Sequence, residues 1–453
     1  RSVLPREVAM RTSSLSRAFR AVAGFVACWL AGTAAVQAMP AIQHWQTDNG
    51  ARVYYVPAPE LPMVDVRMVF SAGSARDAGQ PGLARMTNHL LDQGAAGLSA
   101  DAIADTLEGL GAELDSGALR DMAWVALRSL STPQHFDPAV EVMGKVLAQP
   151  DFNRADFERE RERTLVSLRH SEQQPSKVAN YRFYASVYGE HPYATRPIGN
   201  AESLQAMKVK DLRAFHGQYY VARNAVIAIV GDIDRKAAEE LAAGLAGRLP
   251  EGRRAPPVPS VPALEAAIEE SVSRPSTQTH VRMGAPGMHR GDPDYFTLYV
   301  GNHILGGGGL VSRLFREVRE ERGLSYSVNS HFSPMAQDGP YTFSLQTRND
   351  QTGEALQVLR DTLREFHDKG PTAEELVAAK KNITGGFPLR VDSNSKIVEY
   401  IAMIGFYDLP LDYLETFNDR VMAVTGEQIR DAYQRRVPLD SMATVIVGGE
   451  AAP

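Results

Sequence analysis

Two short stretches, 227–231 (Ile-Ala-Ile-Val-Gly) and 444–448 (Thr-Val-Ile-Val-Gly), indicate how this chain is organised, because they are near-copies lying 217 residues apart. Three other pairs repeat at almost the same spacing: Arg67-Met68 with Arg282-Met283, Asn88-His89 with Asn302-His303, and Ser176-Lys177 with Ser395-Lys396. A steady offset of 214 to 219 residues is far too long for a solenoid repeat. The sequence therefore predicts a duplicated domain.

Within the first copy, strand and helix patterns alternate. Short β-branched runs at 52–56, 64–70 and 225–231 predict strands, while apolar residues at helical spacing predict helices such as 81–93 and 155–170. We expect an α+β fold of two homologous units, each a mainly antiparallel sheet covered by helices on one face.

Proline-rich sequence separates the two copies. The units are predicted at 42–248 and 263–450, and the prolines of 249–262 favour an extended linker between them. The net charge of -6 provides no electrostatic footprint for nucleic acid. No apolar run after the N-terminus is long enough to span a bilayer.

The N-terminus has the pattern of a secretory signal peptide. Arginines precede an apolar run at 21–36, and Val36-Gln37-Ala38 places small residues where a signal peptidase cuts. We predict a signal peptide over 1–38 and export to the periplasm. Cys28, the single cysteine, lies in a segment that weakly resembles a lipoprotein cleavage site, so its lipidation is left open.

The stretch 82–91 (Gly-Leu-Ala-Arg-Met-Thr-Asn-His-Leu-Leu) resembles the zinc-binding helix of the pitrilysin/insulinase metallopeptidases, a family that includes the mitochondrial processing peptidases. Active members have H-x-x-E-H here, with two histidines on zinc and a glutamate that activates water. This chain has Arg85, Asn88 and His89 at those positions. The family's third ligand is a glutamate some seventy-odd residues further on, for which Glu162 is the best match.

These substitutions remove the chemistry that the resemblance implies. Arg85 has no lone pair for a metal, and Asn88 cannot take a proton from water. We therefore predict that this chain holds no metal. The plainer interpretations are that His89 is a structural histidine and that Glu162 belongs to a solvated charge run.

A glycine-rich block at 305–328 (LGGGGLVSRLFREVREERGLSYSV) is the positive functional signal. Its glycines lack the Lys-Ser/Thr of a phosphate loop, and more plausibly let the chain approach another backbone closely. A helix is expected over 310–322, with Leu310, Leu314 and Val318 buried, a cap at Gly323, and a strand beginning at Leu324.

This block resembles the C-terminal half of the same family, in which an Arg and a Tyr seven residues later face the zinc site of an opposing unit. The resemblance implies that Arg319 and Tyr326 bind the substrate backbone and support the developing oxyanion. It also implies half of a clam-shell chamber that closes around unfolded peptides. The resulting hypothesis is a non-catalytic subunit of a heterodimeric periplasmic zinc peptidase, whose H-x-x-E-H-bearing partner holds the zinc.

Two alternatives remain open from the sequence. One is a homodimer of the same fold that binds peptides or acts as a scaffold without cutting them. The other is a cryptic hydrolase that uses His89 and Glu162 with another metal or a water.

Overall fold

A computed structural model describes residues 41–449 of the chain. The signal peptide predicted over 1–38, with Cys28, lies outside the described residues. The stretch from 251 to 264, within the predicted linker, contains no helix or strand.

The first half, up to about residue 249, is built around one large sheet. The sheet contains β1 (Gln43–Gln46), β2 (Arg52–Pro57), β3 (Met63–Phe70), β6 (Glu113–Ala118), β7 (Ala123–Leu130) and β8 (Ala225–Gly231), while β4 (Gly94–Ala95) and β5 (Leu98–Ser99) pair with each other in a separate small sheet. Its helices are α1 (Leu83–His89), α2 (Ala100–Leu110), α3 (Pro133–Ala148), α4 (Arg154–Glu172), α5 (Pro175–Tyr188), α6 (Ala201–Ala206), α7 (Val209–Tyr219) and α8 (Arg235–Gly247).

The second half repeats this plan with fewer strands. The strands are β9 (Ile268–Ser273), β10 (Gln278–Met288), β11 (Ser327–Phe332), β12 (Gly339–Arg348) and β13 (Ala443–Gly448). The helices are α9 (Tyr295–Asn302), α10 (Thr352–Lys369), α11 (Ala373–Gly386), α12 (Asn394–Phe406), α13 (Phe417–Ala423) and α14 (Gly426–Arg436).

The two sheets have the same strand order, except that the first has one additional edge strand, β1. The first has the order β1-β2-β8-β3-β7-β6 and the second β9-β13-β10-β12-β11, so β8 and β13 hold equivalent places. Each sheet is antiparallel except for one parallel pair, β2 with β8 and β9 with β13. Both closing strands end in a left-handed glycine, Gly231 at φ 149° and Gly448 at φ 156°, where a Cβ would come within 2.7 Å of the neighbouring strand. The predicted α+β duplication is confirmed.

The halves exchange one helix. α5 of the first half packs on β10 and β13 of the second sheet, where Phe183 and Val187 join a core with Val445 and Val447. α12 of the second half packs on β2, β3 and β8 of the first sheet. It crosses so closely that a Cβ at Gly405 would lie 2.5 Å from the Tyr54 ring. Each sheet is therefore covered partly by a helix from the other half.

Several elements differ from the sequence-based expectation. β6 was not predicted, because its polar sequence becomes a strand only by pairing with β7. The helix expected over 310–322 forms only in part: it starts with a 3₁₀ turn at Gly309–Val311 and is π-helical at Phe315–Glu320, and another π-helical turn, His303–Gly307, precedes it. The strand expected from Leu324 begins at Ser327.

Candidate functional site

The helix that resembles a zinc-binding helix is α1, and a buried carboxyl group holds its start. Asp77 accepts hydrogen bonds from the backbone N–H groups of Gly82, at 2.9 Å, and Ala84, at 2.8 Å. Burial raises the pKa of Asp77 to about 7, although both hydrogen bonds act in the opposite direction. The start of α1 is therefore held by a group that titrates near neutral pH.

Asn88, at the position of the family's general base, has a structural role here. It is buried, and its Nδ2 donates to the carbonyl oxygen of Trp124 at 3.1 Å and to the hydroxyl of Tyr220 at 3.2 Å. These bonds join α1 to β7 and to the end of α7. Because both amide protons are used inside the protein, the side chain does not face a substrate.

His89 pairs with Glu160, which corrects the assignment of Glu162. The Nε2 of His89 donates to Oε2 of Glu160 at 2.9 Å, and the Glu160 side chain is 3% exposed. Glu162 is exposed, because two residues along a helix turn the side chain by about 200°. Glutamates and arginines alternate from Glu158 to Glu162, so residue spacing alone could not show which carboxylate faces inward.

The residues around His89 do not fit a zinc ion. Glu160 already binds His89 through one oxygen, and its other oxygen accepts from Nη1 of Arg163 at 2.6 Å. Arg85 is exposed on the same helix and carries a positive charge. One imidazole whose Nε2 is occupied and one carboxylate held by arginine do not provide three free ligands.

Among residues 41–449, one group of three side chains has metal-like spacing: His289, Asp292 and Asp338. Asp292 is almost fully buried and accepts two hydrogen bonds from the guanidinium of Arg436, at 2.7 and 3.2 Å. That fixed positive charge already neutralises the group, so it is a salt-bridge network rather than a metal centre.

Arg319 and Tyr326 lie together at the surface of the second half. The Arg319 guanidinium stands over the Tyr326 ring at 4.9 Å from its centroid, and over the Phe315 ring at 4.8 Å. Tyr326 is 75% exposed. This arrangement directs a guanidinium and a phenol, both hydrogen-bond donors, outward from one place. Between residues 41 and 449, no hydrogen bond, ion pair or cation–π contact joins this pair to His89.

Buried contacts hold both sides of this pair in position. Before it, Arg313 is bound bidentately by Glu375 of α11, at 2.7 and 2.6 Å. Between the two residues, Gly323 turns the chain at φ 63°, and the Ser325 hydroxyl, next to Tyr326, donates to the Gln346 carbonyl oxygen of β12 at 2.7 Å. The pair therefore stands on a well-anchored segment.

The glycine-rich segment packs as closely as expected, whereas one of the three apolar residues predicted to be buried is exposed. A Cβ on Gly306 would come within 2.4 Å of the Ser330 hydroxyl, and one on Gly308 within 2.6 Å of the His303 carbonyl oxygen. Leu314 and Val318 are buried, whereas Leu310 is 70% exposed, which corrects its prediction.

Leu310 is exposed because the regular helix that would have buried it is replaced by a 3₁₀ turn. Its neighbour Val311, also exposed, borders a groove of about 490 Å³ against α11. Leu310, Val311 and Tyr326 are therefore all exposed in the segment that carries Arg319.

Comparisons with known proteins agree with this fold and site. The family model described as insulinase (peptidase family M16) matches residues 52–200, and the one described as peptidase M16 inactive domain matches residues 206–383. A crystal structure of a peptidase M16 inactive domain from Pseudomonas fluorescens superposes with TM-score 0.88 and 39% identity, covering 91% of this chain and 98% of that one.

Two sequence relatives bear contrasting names. An uncharacterized zinc protease of Mycobacterium leprae is 30% identical over 77% of this chain and 78% of its own length. The non-peptidase homologue YmxG of Helicobacter pylori is 25% identical over 86% of this chain and 90% of its own length.

The chain belongs to peptidase family M16, the pitrilysin/insulinase family. Within that family it is an inactive homologue, since Arg85 and Asn88 replace a zinc ligand and the general base. No helix within residues 41–449 combines the length and the apolar character needed to cross a membrane.

Proposed function

We propose that this chain is the non-catalytic subunit of a heterodimeric periplasmic zinc peptidase. Its partner would hold the zinc, the zinc ligands and the general-base glutamate of an H-x-x-E-H helix. This chain would bind unfolded peptide and supply Arg319 and Tyr326 to a composite site. The observation that carries the proposal is the contrast between the anchored Arg319–Tyr326 pair, in which Tyr326 is exposed, and a His89 imidazole that is bound by the buried Glu160.

The roles follow from the chemistry of the two side chains. Tyr326 would donate its hydroxyl hydrogen to the oxyanion that develops from the peptide carbonyl. Arg319 offers a planar set of N–H donors to the substrate backbone and has no proton to lose near neutral pH. Leu310 and Val311 would contact apolar side chains of the same peptide, since both are exposed in the segment that carries the pair. Export through the predicted leader over 1–38 would place this chain in the periplasm.

The test is turnover by the complex purified with an H-x-x-E-H-bearing M16 partner. Tyr326→Phe removes one hydroxyl but keeps the ring under Arg319, so we expect kcat to fall by about 100-fold while the heterodimer still assembles. The matched control is Tyr181→Phe, because Arg196 stands over the Tyr181 ring at 4.6 Å in a similar arrangement. That control should leave kcat unchanged. Full turnover by an assembled Tyr326→Phe complex would remove the proposed role.

A peptide-binding or scaffold homodimer is the second candidate, and the exposed Leu310 and Val311 favour it, because an apolar surface can hold a peptide without cutting it. Sedimentation of the purified chain alone distinguishes the two candidates. A stable homodimer that binds unfolded peptide and does not exchange with a zinc-bearing partner would favour the scaffold.

A further inference from the structure

A cavity of about 540 Å³ lies where the first half, the linker and the second half meet. The first half contributes Arg52, Arg76 and Asp121, and the linker contributes the stretch from Arg254 to Val258. The second half contributes Arg290 and the end of α12 with Tyr407 and Asp408. The linker is docked firmly here, since Arg76 donates to the Pro256 carbonyl oxygen at 2.5 Å and His191 to that of Pro259 at 2.8 Å.

The cavity is positively charged although the chain as a whole has net charge -6. Four arginines face two aspartates, and the carboxylates are already engaged. Asp408 binds both Arg52 and Arg254.

Asp121 is satisfied by uncharged donors. It accepts from the hydroxyls of Tyr193 at 2.6 Å and Tyr407 at 3.0 Å, and from the backbone N–H of Ala336 at 2.7 Å. Within the described part of the chain, Arg76 and Arg290 form no salt bridge.

These guanidinium groups also have unmet hydrogen-bonding capacity. The Nε–H groups of Arg52, Arg76 and Arg290 are buried and have no acceptor among residues 41–449. Burial lowers the pKa of Arg52 and of Arg76, which reflects the cost of removing their charges from water. Arg52 already pairs with Asp408, but Arg76 has no carboxylate partner among the described residues, so a bound oxyanion would lower the cost of its buried charge through charge-assisted hydrogen bonds.

We propose that this cavity is a binding site for an oxyanion, a carboxylate or phosphate group held between Arg76 of the first half and Arg290 of the second. The anion could be a free small molecule or the C-terminal carboxylate of a peptide, because a guanidinium group binds the oxygens of a planar carboxylate as well as those of a tetrahedral phosphate. Because the ligand would bridge both halves beside the docked linker, its binding also stabilises their junction. The proposal is independent of the zinc-bearing partner.

The experiment is calorimetric titration of the purified chain at constant ionic strength with four probes: inorganic phosphate, succinate, a short peptide with a free C-terminus, and the same peptide amidated. We expect saturable binding of at least one oxyanion and a rise in melting temperature with its concentration. Arg290→Gln should weaken that binding by at least about tenfold, since one charge-assisted contact is lost. The Arg290 side chain has no hydrogen-bond partner in the described residues, so the variant should keep its fold, as near-ultraviolet circular dichroism would verify.

The probes distinguish the two sources of the anion. Binding of the free peptide but not of its amide would assign the site to peptide C-termini, whereas binding of phosphate or succinate alone would assign it to a free anion. The matched control is Arg154→Gln, an arginine whose side chain is 89% exposed on α4, which should bind as the wild type does.

Three results would overturn the proposal: no saturable binding of any probe, equal binding of the peptide and its amide without binding of the small anions, or unchanged affinity in both Arg290→Gln and Arg76→Gln.

Discussion

Both halves of the chain end the same helix with an Asn-His pair, and both asparagines have become structural. Asn88 donates to Trp124 and Tyr220, while Asn302 donates to the Ser330 carbonyl oxygen at 3.1 Å and accepts from the Ser330 hydroxyl at 2.7 Å. The difference lies in the surroundings of the pair. In the first half His89 is hydrogen-bonded to a buried carboxylate, whereas the second half continues into glycine turns that lead to Arg319 and the exposed Tyr326.

A degenerate catalytic helix can therefore persist as a packing element. Its Asn88 is fixed by the same kind of buried amide hydrogen bonds as Asn302, the equivalent residue in a half whose Asn-His pair shows no zinc-ligand pattern. The first half has lost the zinc ligand and the general base, and the second half keeps the hydrogen-bond donors Arg319 and Tyr326. These two features are independent of each other. Each can be tested on its own, and the effects expected range from a gain of metal binding to a nearly silent surface change.

Restoring one ligand should have the largest effect. Arg85→His would place a second imidazole one helical turn from His89 and near Glu160. We therefore expect zinc affinity to rise by about 1,000-fold, so that the protein retains roughly one zinc ion per chain. Metal analysis after dialysis measures this gain. Adding Glu160→Gln should abolish it, and adding Glu162→Gln should leave it intact. The reverse pattern would show that Glu162, not Glu160, occupies the ligand position.

The pH dependence of stability should differ between the two helix starts. Burial raises the pKa of Asp77 from 3.8 to about 7, so the folded chain binds more protons than the unfolded chain between those values. Its contribution to the free energy of unfolding therefore falls as pH rises through this window, by up to about 4 kcal/mol. Urea unfolding from pH 4 to pH 8 should give a flatter profile for Asp77→Asn.

Asp294, beside the start of α9, provides the opposite case. Hydrogen bonding to Arg435 lowers its pKa, so its contribution is present at neutral pH and is lost only as pH falls below about 4. Asp294→Asn should therefore leave the slope between pH 4 and pH 7 unchanged. Parallel profiles for the wild type and Asp77→Asn would contradict the assignment of that slope to Asp77.

The two asparagines should prove equally important for stability. Asn88→Ala leaves the Trp124 carbonyl and the Tyr220 hydroxyl without their donor, and should lower the free energy of unfolding by about 2–3 kcal/mol. Asn302→Ala should lower it by a similar amount. Chemical denaturation measures the free energy of unfolding of both variants. If Asn88→Ala left the free energy of unfolding unchanged, Asn88 would be a remnant of the catalytic motif that does not stabilise the packing.

The weakest effect on stability is expected at the exposed apolar surface. Leu310→Ser should change the free energy of unfolding by no more than about 0.5 kcal/mol, because Leu310 is 70% exposed. Leu314→Ala, in the same segment but fully buried, should cost about 3 kcal/mol. Thermal melts of the two variants test the contrast. A large loss of stability in Leu310→Ser would place that side chain in the core.

Much of the fold was accessible from sequence because the duplication is visible in it. The closing strand was predicted at 225–231 and is found at Ala225–Gly231, and the helix predicted over 155–170 is Arg154–Glu172. Regular elements with strong apolar periodicity are specified locally, so their positions need no knowledge of the partner. β6 and the turns around Leu310 were missed because their conformation depends on strands packed against them.

The site divides in the same way. That Arg85 and Asn88 end zinc chemistry follows from residue identity, since neither a guanidinium nor an amide can replace an imidazole or a base. Which glutamate faces His89 does not follow, because Glu160 and Glu162 are equally plausible in an alternating charge run and only the helix orientation selects one. Arg319 and Tyr326 were chosen by resemblance, and in the structure the Arg319 guanidinium lies 4.9 Å from the centroid of the Tyr326 ring.

Repeat spacing was thus enough to predict the duplicated α+β plan, and the resemblance of 82–91 and 305–328 to a known family was enough to indicate that family and the loss of the zinc ligand and base, because these features depend on residue identity and order alone. The exchange of α5 and α12, the pairing of His89 with Glu160 and the arginine-lined cavity at the linker became visible only in the folded molecule. Each of these joins residues far apart in the chain, and such contacts are set by how packed surfaces meet rather than by any local pattern.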